Sequence, residues 1–149
     1  MTARRKREIG RARKGKLIRQ VAALPYRRDK DGRIRFLLIT SRNTRRVILP
    51  KGWTMKGHSL AEAAGIEAQE EAGAIGRIHK RPIGAYAYWK RLKSAFVPVV
   101  ATVFPLEVEK LTDDWPERSR RGRAWLTRED AVRLVDEPQL ASLIARFAP

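Results

Sequence analysis

Glu67, Glu70 and Glu71 stand at i, i+3 and i+4 of one stretch of chain. On a helix this spacing stacks three carboxylates on one face. Like charges so placed repel by roughly a few tenths of a kcal/mol per pair in water. Toward a helix C-terminus the macrodipole disfavours them further. With Lys+Arg 33 against Asp+Glu 16, the chain has ample lysine to put there instead. The arrangement makes chemical sense when a cation sits between the carboxylates. The plainer reading of the same residues is a solvated acidic face pairing with a basic remainder. Oxygen donors suit Mg²⁺ or Mn²⁺. There are no cysteines, which excludes disulfides, Cys-based zinc sites and thiol catalysis. Two histidines, His58 and His79, are too few for a His-rich metal cage.

The elements that must position these acids follow from pattern. Ser59–Ala72 reads as a helix with Ser59 as N-cap, Glu62 as its capping-box partner and Gly73 as the C′ residue. Leu60, Ala63, Ala64 and Ala68 supply its buried face. Gly65 lies mid-helix at a cost of about 1 kcal/mol against alanine, compatible with close packing or with simple tolerance. Before it, Leu17–Pro25, Arg33–Thr40 and Arg45–Leu49 read as strands, the first two joined by the Asp29-Lys30-Asp31-Gly32 turn. After it, Ile78–Trp89 and Ala95–Val108 read as paired strands around the basic hairpin Lys90–Lys93. Asp113–Arg123 is polar and irregular. Ala124–Leu126 reads as a short strand, and Thr127 caps a helix to about Val135. A last amphipathic helix runs from Glu137 or Pro138 to Phe147. Strands and helices are mixed without an internal repeat, so an α/β (α+β) single domain is expected, of a size that buries one core in two or three layers.

The formal charge of +17 on 149 residues is extreme. It attracts phosphate-rich molecules: small substrates, nucleic acid or an anionic surface. Residues 1–16 crowd Arg4, Arg5, Lys6, Arg7, Arg11, Arg13, Lys14 and Lys16 against one acid, Glu8. They read as a flexible, solvated arm before a domain spanning 17–149, with a nucleic-acid or polyphosphate contact as the sharper reading. The longest apolar runs, Ala95–Phe104 and Phe36–Ile39, fall well short of the roughly 20 residues a membrane span needs. The basic N-terminus lacks the apolar stretch of a secretory signal, so a cytoplasmic location is expected.

Leu49-Pro50-Lys51-Gly52-Trp53, followed by Gly57, Glu67, Glu70, Glu71 and Gly73, resembles the Nudix box, G-x5-E-x7-R-E-U-x-E-E-x-G-U with U aliphatic. Gly52 takes the first glycine, Glu67 the glutamate after the arginine, Ala68 the first U, Glu70-Glu71 the paired acids, Gly73 the last glycine and Ala74 the last U. Two positions depart. His58 stands where the first Glu is expected and Ile66 where the Arg is expected, so both members of an opposite-charge pair are replaced. The loss could weaken the catalytic helix without harming the fold, or His58 could itself reach substrate or metal. The resemblance extends over about residues 18–147. In its finer features, among them Ser41-Arg42, Asp113-Asp114-Trp115 and Gln139–Ser142, the chain looks like the diphosphoinositol-polyphosphate and diadenosine-polyphosphate hydrolases.

The resemblance implies a Nudix-type α/β/α sandwich with a mixed sheet, a loop–helix–loop metal motif and hydrolysis of a pyrophosphate linkage. Glu67, Glu70 and Glu71, with the backbone carbonyl of Gly52, would hold Mg²⁺ or Mn²⁺. Glu67 or Glu70 would be the catalytic base, with Glu107, Glu109, Asp113, Asp114 and Glu117 as candidates outside the box. Arg42, Lys51, Lys90, Arg91 and Lys93 would clamp phosphates, and Arg120, Arg121 and Arg123 form a second basic cluster. Trp53 and Trp89 could stack on a base or fill the core, whereas Trp125 fits packing. Two further readings share the box: a nucleoside-triphosphate or RNA 5′-end pyrophosphohydrolase, and a catalytically weak domain that binds nucleotides or RNA.

Overall fold

Two strands at the start of the domain are apolar on both sides, and that fixes the layering. In β1 (Ile18–Arg28), Ala22, Leu24 and Tyr26 enter one core while Val21 and Ala23 enter another. In β2 (Ile34–Thr40), Phe36 and Leu38 face the first core and Leu37 and Ile39 the second. A strand buried on both faces needs cover on both. The computed structural model describes Lys6, Gly10 and residues 17–149. The expected basic arm, residues 1–16, otherwise lies outside the described residues.

The remaining strands are β3 (Val47–Ile48), β4 (Lys51–Trp53), β5 (Ala74–Ile78), β6 (Gly84–Arg91), β7 (Phe96–Leu111) and β8 (Arg123–Thr127). One mixed sheet runs β3-β2-β1-β7-β5, with β4 on β1, β6 on β7 and β8 on β2. β1 and β7 pair in parallel, from Ile18↔Val99 to Tyr26↔Glu107. The other pairings between these strands are antiparallel, and Val47 makes one isolated parallel bridge to Val135. Helix α1 (Leu60–Ala72) covers one face through Ala61, Ala63, Ala64, Ala68 and Ala72. Helices α2 (Arg128–Leu134) and α3 (Pro138–Arg146) cover the other through Ala131, Leu140, Leu143 and Ile144. The result is the expected α/β/α sandwich. No helix among the described residues is long and apolar enough to cross a membrane.

Several elements differ from the sequence reading. Ile78–Trp89 is not one strand: the chain leaves the sheet after Ile78 and re-enters at Gly84, whose φ of 152° suits glycine. Arg45–Leu49 shortens to Val47–Ile48, while Lys51–Trp53 forms a strand that had no pattern of its own. Leu60 is 47% exposed, and Ala61 takes its place in the core. The added Cβ of an alanine at Gly65 would meet Ile78 Cβ at an ordinary 3.9 Å, so the mid-helix glycine is tolerated rather than required. Trp125 packs at the edge of the second core beneath the Arg27 guanidinium, 4.1 Å from its ring.

Candidate active site

The site is built where β4 lies against α1. β4 pairs with β1 in the register Gln20↔Trp53, Val21↔Gly52 and Ala22↔Lys51, which fixes Gly52 at the helix surface. α1 starts at a complete capping box between Ser59 and Glu62 and ends at Gly73, which is left-handed at φ 63°. Its C-terminal carbonyls are satisfied by the segment that sequence left as irregular. Glu70 O accepts from Glu117 N–H (3.2 Å) and Gly73 O from Thr112 N–H (2.9 Å). Trp115 Nε1–H donates to Glu71 O (3.1 Å), and Arg123 Nη1 to Ala72 O (2.8 Å). A guanidinium at this end also offsets the dipole that disfavours the acids there.

Glu67 is buried, 9% exposed, and its carboxyl presses on Gly52. A Cβ built on Gly52 would overlap that carboxyl, with Oε2 at 2.7 Å, so only glycine admits the contact. Burial first, then Glu71, Glu70 and Glu117, push the Glu67 carboxyl up to about 8, partly opposed by Arg121. Glu71 is also raised by burial, against the pull of Arg121 and Lys51. Its Oε1 accepts from Lys51 N–H (3.0 Å) and its Oε2 from Arg121 Nη2 (3.3 Å). Arg121, with a side chain 7% exposed, also donates from Nε to Glu117 Oε1 (3.0 Å) and from Nη1 to Thr40 O (3.2 Å). Lys51 is lowered to about 8, by burial first, and its Nζ lies 4.9 Å from the Tyr88 ring centroid. Tyr88 OH in turn donates to Gln20 Oε1.

These groups line a cleft of about 250 Å³, with Glu67 and Glu71 on one wall and Arg42, Lys51, Lys90 and Arg121 around it. Trp53 also lines it, packed against the cluster of Ile18, Val97 and Val99, with Lys90 Nζ 5.8 Å from its ring centroid. Of the expected site residues, Glu67, Glu71, Gly52, Arg42, Lys51 and Lys90 thus share one cleft. Glu70 is exposed on α1 beside it, and Arg91 and Lys93 are exposed and outside its lining. Among the outlying acids, Glu117 joins the site through Arg121. Glu107 pairs instead with Arg77 (3.5 Å), and Glu109, Asp113 and Asp114 are exposed.

His58 does not face the cleft. Its Nδ1 lies 3.2 Å from Glu62 Oε2 at the start of α1, and it shares a shallow groove with Ile66. The two departures from the box therefore sit together, and a local His58–Glu62 pair stands in for the lost one. Arg121, seen in sequence only as one of three clustered arginines, is the cleft residue least foreseen. A larger hollow of about 460 Å³ lies at the other end of β1 and β2, lined in part by Arg28, Arg35 and Arg128. The guanidinium groups of these three are engaged by protein acceptors: Pro149 O, Asp29 and Phe147 O respectively.

Among the described residues no three carboxylate or imidazole groups converge as a ready-made metal cage, since Glu71 is turned to Arg121 and Glu70 stays outside. The donor set nevertheless fits a hard divalent cation. Glu67 is a buried carboxyl destabilised by three neighbouring acids, and it lies against a glycine cradle that a Cβ would fill. No family model matches the chain. It is 34% identical over 112 residues to Nudix hydrolase 12, mitochondrial, of Arabidopsis thaliana, covering 71% of this chain and 54% of that protein. It is also 34% identical over 128 residues to Nudix hydrolase 16, mitochondrial, of the same plant, covering 77% of this chain and 71% of that one. A C. elegans Ap4A hydrolase binary complex shares the fold at TM-score 0.62 and 24% identity, covering 85% of this chain and 92% of that chain. With this sequence similarity beside the sandwich and the box, the chain belongs to the Nudix hydrolase family. It spans about half to two thirds of the length of most curated relatives it matches.

Proposed function

We propose that this protein hydrolyses a P–O–P linkage in a phosphate-rich substrate of the diadenosine-polyphosphate or diphosphoinositol-polyphosphate type, with Mg²⁺ or Mn²⁺ bound. The observation that carries the reading is the Glu67 carboxyl, buried against Gly52 and faced across the cleft by a ring of cations. Glu67, Glu71 and the Gly52 carbonyl would hold the ion, with Glu70 completing the set from the rim. When bound, the ion would supply charge neutralisation at the phosphates and an acidified water. Arg42, Lys51 and Lys90 bind and orient the phosphates by charge-assisted hydrogen bonds. Arg121 keeps Glu71 oriented. Glu67 or Glu70 would take the proton of the attacking water. Trp53 lines the cleft beside Lys90 and would stack on a base. The similarity to an Ap4A hydrolase supports the dinucleotide arm of this reading.

Chromatography of phosphate products tests it, with a panel of diadenosine polyphosphates, diphosphoinositol phosphates, nucleoside triphosphates and 5′-triphosphate RNA. Release of two nucleotides, or of an inositol phosphate and orthophosphate, is expected. Pyrophosphate with a nucleoside monophosphate or a 5′-monophosphate RNA end would move the assignment to the triphosphate reading. Tight binding without turnover of any substrate would refute catalysis and leave a binding module.

A further inference from the structure

β6 alternates faces so that Tyr88, packed on the first core, and Lys90 share one side while Ala87, Trp89 and Arg91 share the other. The pairing Ala87↔Val100, Trp89↔Pro98 and Arg91↔Phe96 extends that second face across β7. The parallel pairing Arg19↔Val100 extends it onto β1, with Leu17 two residues earlier on the same side. Trp89 is 67% exposed, Phe96 66% and Leu17 49%. Two large rings that stand out from a sheet belong to no core cluster, and Arg19 and Arg91 flank them, both exposed. Directly opposite and diagonal positions on one sheet face lie within reach of aromatic side chains, so Trp89 and Phe96 form one neighbouring pair.

We infer that this face, with Trp89 and Phe96 as stacking platforms and Arg19 and Arg91 as phosphate contacts, is a docking surface for single-stranded nucleic acid. Exposed rings on a sheet, bordered by guanidinium groups, match what unpaired bases and their backbone require: a π-face for each base and a cation for each phosphate. Charge complementarity singles out this partner. The protein carries a net +17, and the chain enters the platform at Leu17 from a sequence dense in arginine and lysine. A second copy of so basic a chain would be repelled, and the platform presents no acid to receive it. By the registers Arg19↔Val100 and Val21↔Thr102 the surface lies on the α1 side of the sheet, but none of Arg19, Trp89, Arg91 and Phe96 lines the carboxylate cleft, so it is a separate surface.

The test is binding of a labelled, mixed-sequence single-stranded oligoribonucleotide, and of the matching oligodeoxyribonucleotide, to the full chain, followed by anisotropy across a salt series. Trp89→Ala and Phe96→Ala should each weaken binding by about tenfold, with circular dichroism unchanged because both rings are exposed. Trp89→Phe, which keeps a stacking ring, should retain binding but lose the quenching of tryptophan emission. Arg19→Ala or Arg91→Ala should reduce the salt slope by about one. Excess diadenosine tetraphosphate should not displace the oligonucleotide. Unchanged binding in the Trp89→Ala/Phe96→Ala double variant would overturn the inference, as would displacement by the dinucleotide or loss of binding only on deletion of residues 1–16. Self-association that disappears in the double variant without any nucleic-acid binding would also overturn it, in favour of a second copy.

Discussion

Replacing Glu67 with glutamine removes a charge and keeps the shape, so it isolates what burying this carboxyl costs. In the folded protein the group is pushed up to about 8, from an ordinary 4.5 that it regains on unfolding. Between those values the folded state holds the proton more tightly than the unfolded state does. Stability therefore falls as pH rises through the window, is undiminished below about 4.5, and is lowest above about 8. The gap sets a ceiling of about 5 kcal/mol. Water in the adjoining cleft screens the charge, and roughly 2 kcal/mol is the expected share that survives. Glutamine cannot ionise, so Glu67→Gln should be more stable than the parent by about 2 kcal/mol near pH 8.5 and equal to it near pH 5. Urea unfolding in chelator, repeated across that range, measures this. A variant no more stable than the parent at alkaline pH, or one with the same pH slope, would refute the reasoning that burial and the neighbouring acids govern this group.

Gly52→Ala drives a methyl into the Glu67 carboxyl. The yielding atoms are the end of a side chain, so denaturation should register about 1 kcal/mol or less while turnover falls by orders of magnitude. Gly76→Ala should behave oppositely. Its Cβ would overlap the backbone carbonyl of Glu107 and lie 2.9 Å from Val108 Cα, at the bulge between β5 and β7. A thermal melt should show a loss of about 3 kcal/mol with residual activity in the fraction that folds. Arg121→Ala leaves Glu71 with the Lys51 N–H alone and Glu117 with its longer contacts to Arg42 and Arg120, and should cost about 2 kcal/mol. Arg121→Lys should recover only part, because an ammonium cannot bridge two carboxylates and a carbonyl as a planar fork does.

What could be read in the sequence was local or carried by a long motif. The α1 helix, its Ser59–Glu62 box and its Gly73 stop depend on residues a few positions apart, and all three are present. The approach of Gly52 to Glu67 links residues brought together by the register of β4 on β1, and only the box resemblance pointed to it. Arg121 was hidden for a physical reason. Arg120, Arg121 and Arg123 look alike in a polar loop, and only folding buries one on Glu71 while setting another on the helix end. The break between β5 and β6 had a signal, Pro82 followed by Gly84, and a proline inside an apolar run argues against one continuous strand. His58 and Glu62 stand four residues apart, the spacing of a helical pair, but Glu62 was already accounted for as the capping-box partner of Ser59. The short β4 strand has no pattern because its burial is set by β1 on one side and α1 on the other.

The central claim is that hydrolysis runs through a divalent cation held at Glu67. Its most direct test is a Mg²⁺ titration of nucleotide release from diadenosine tetraphosphate, with parent and Glu67→Gln compared near pH 8.5, where the Glu67 carboxyl is ionised, and the folded fraction of each measured alongside. The account predicts saturable metal dependence in the parent, with turnover abolished by chelator and by the single substitution. Turnover that persists in chelator, or that survives in Glu67→Gln at the parent's metal concentration, would contradict it.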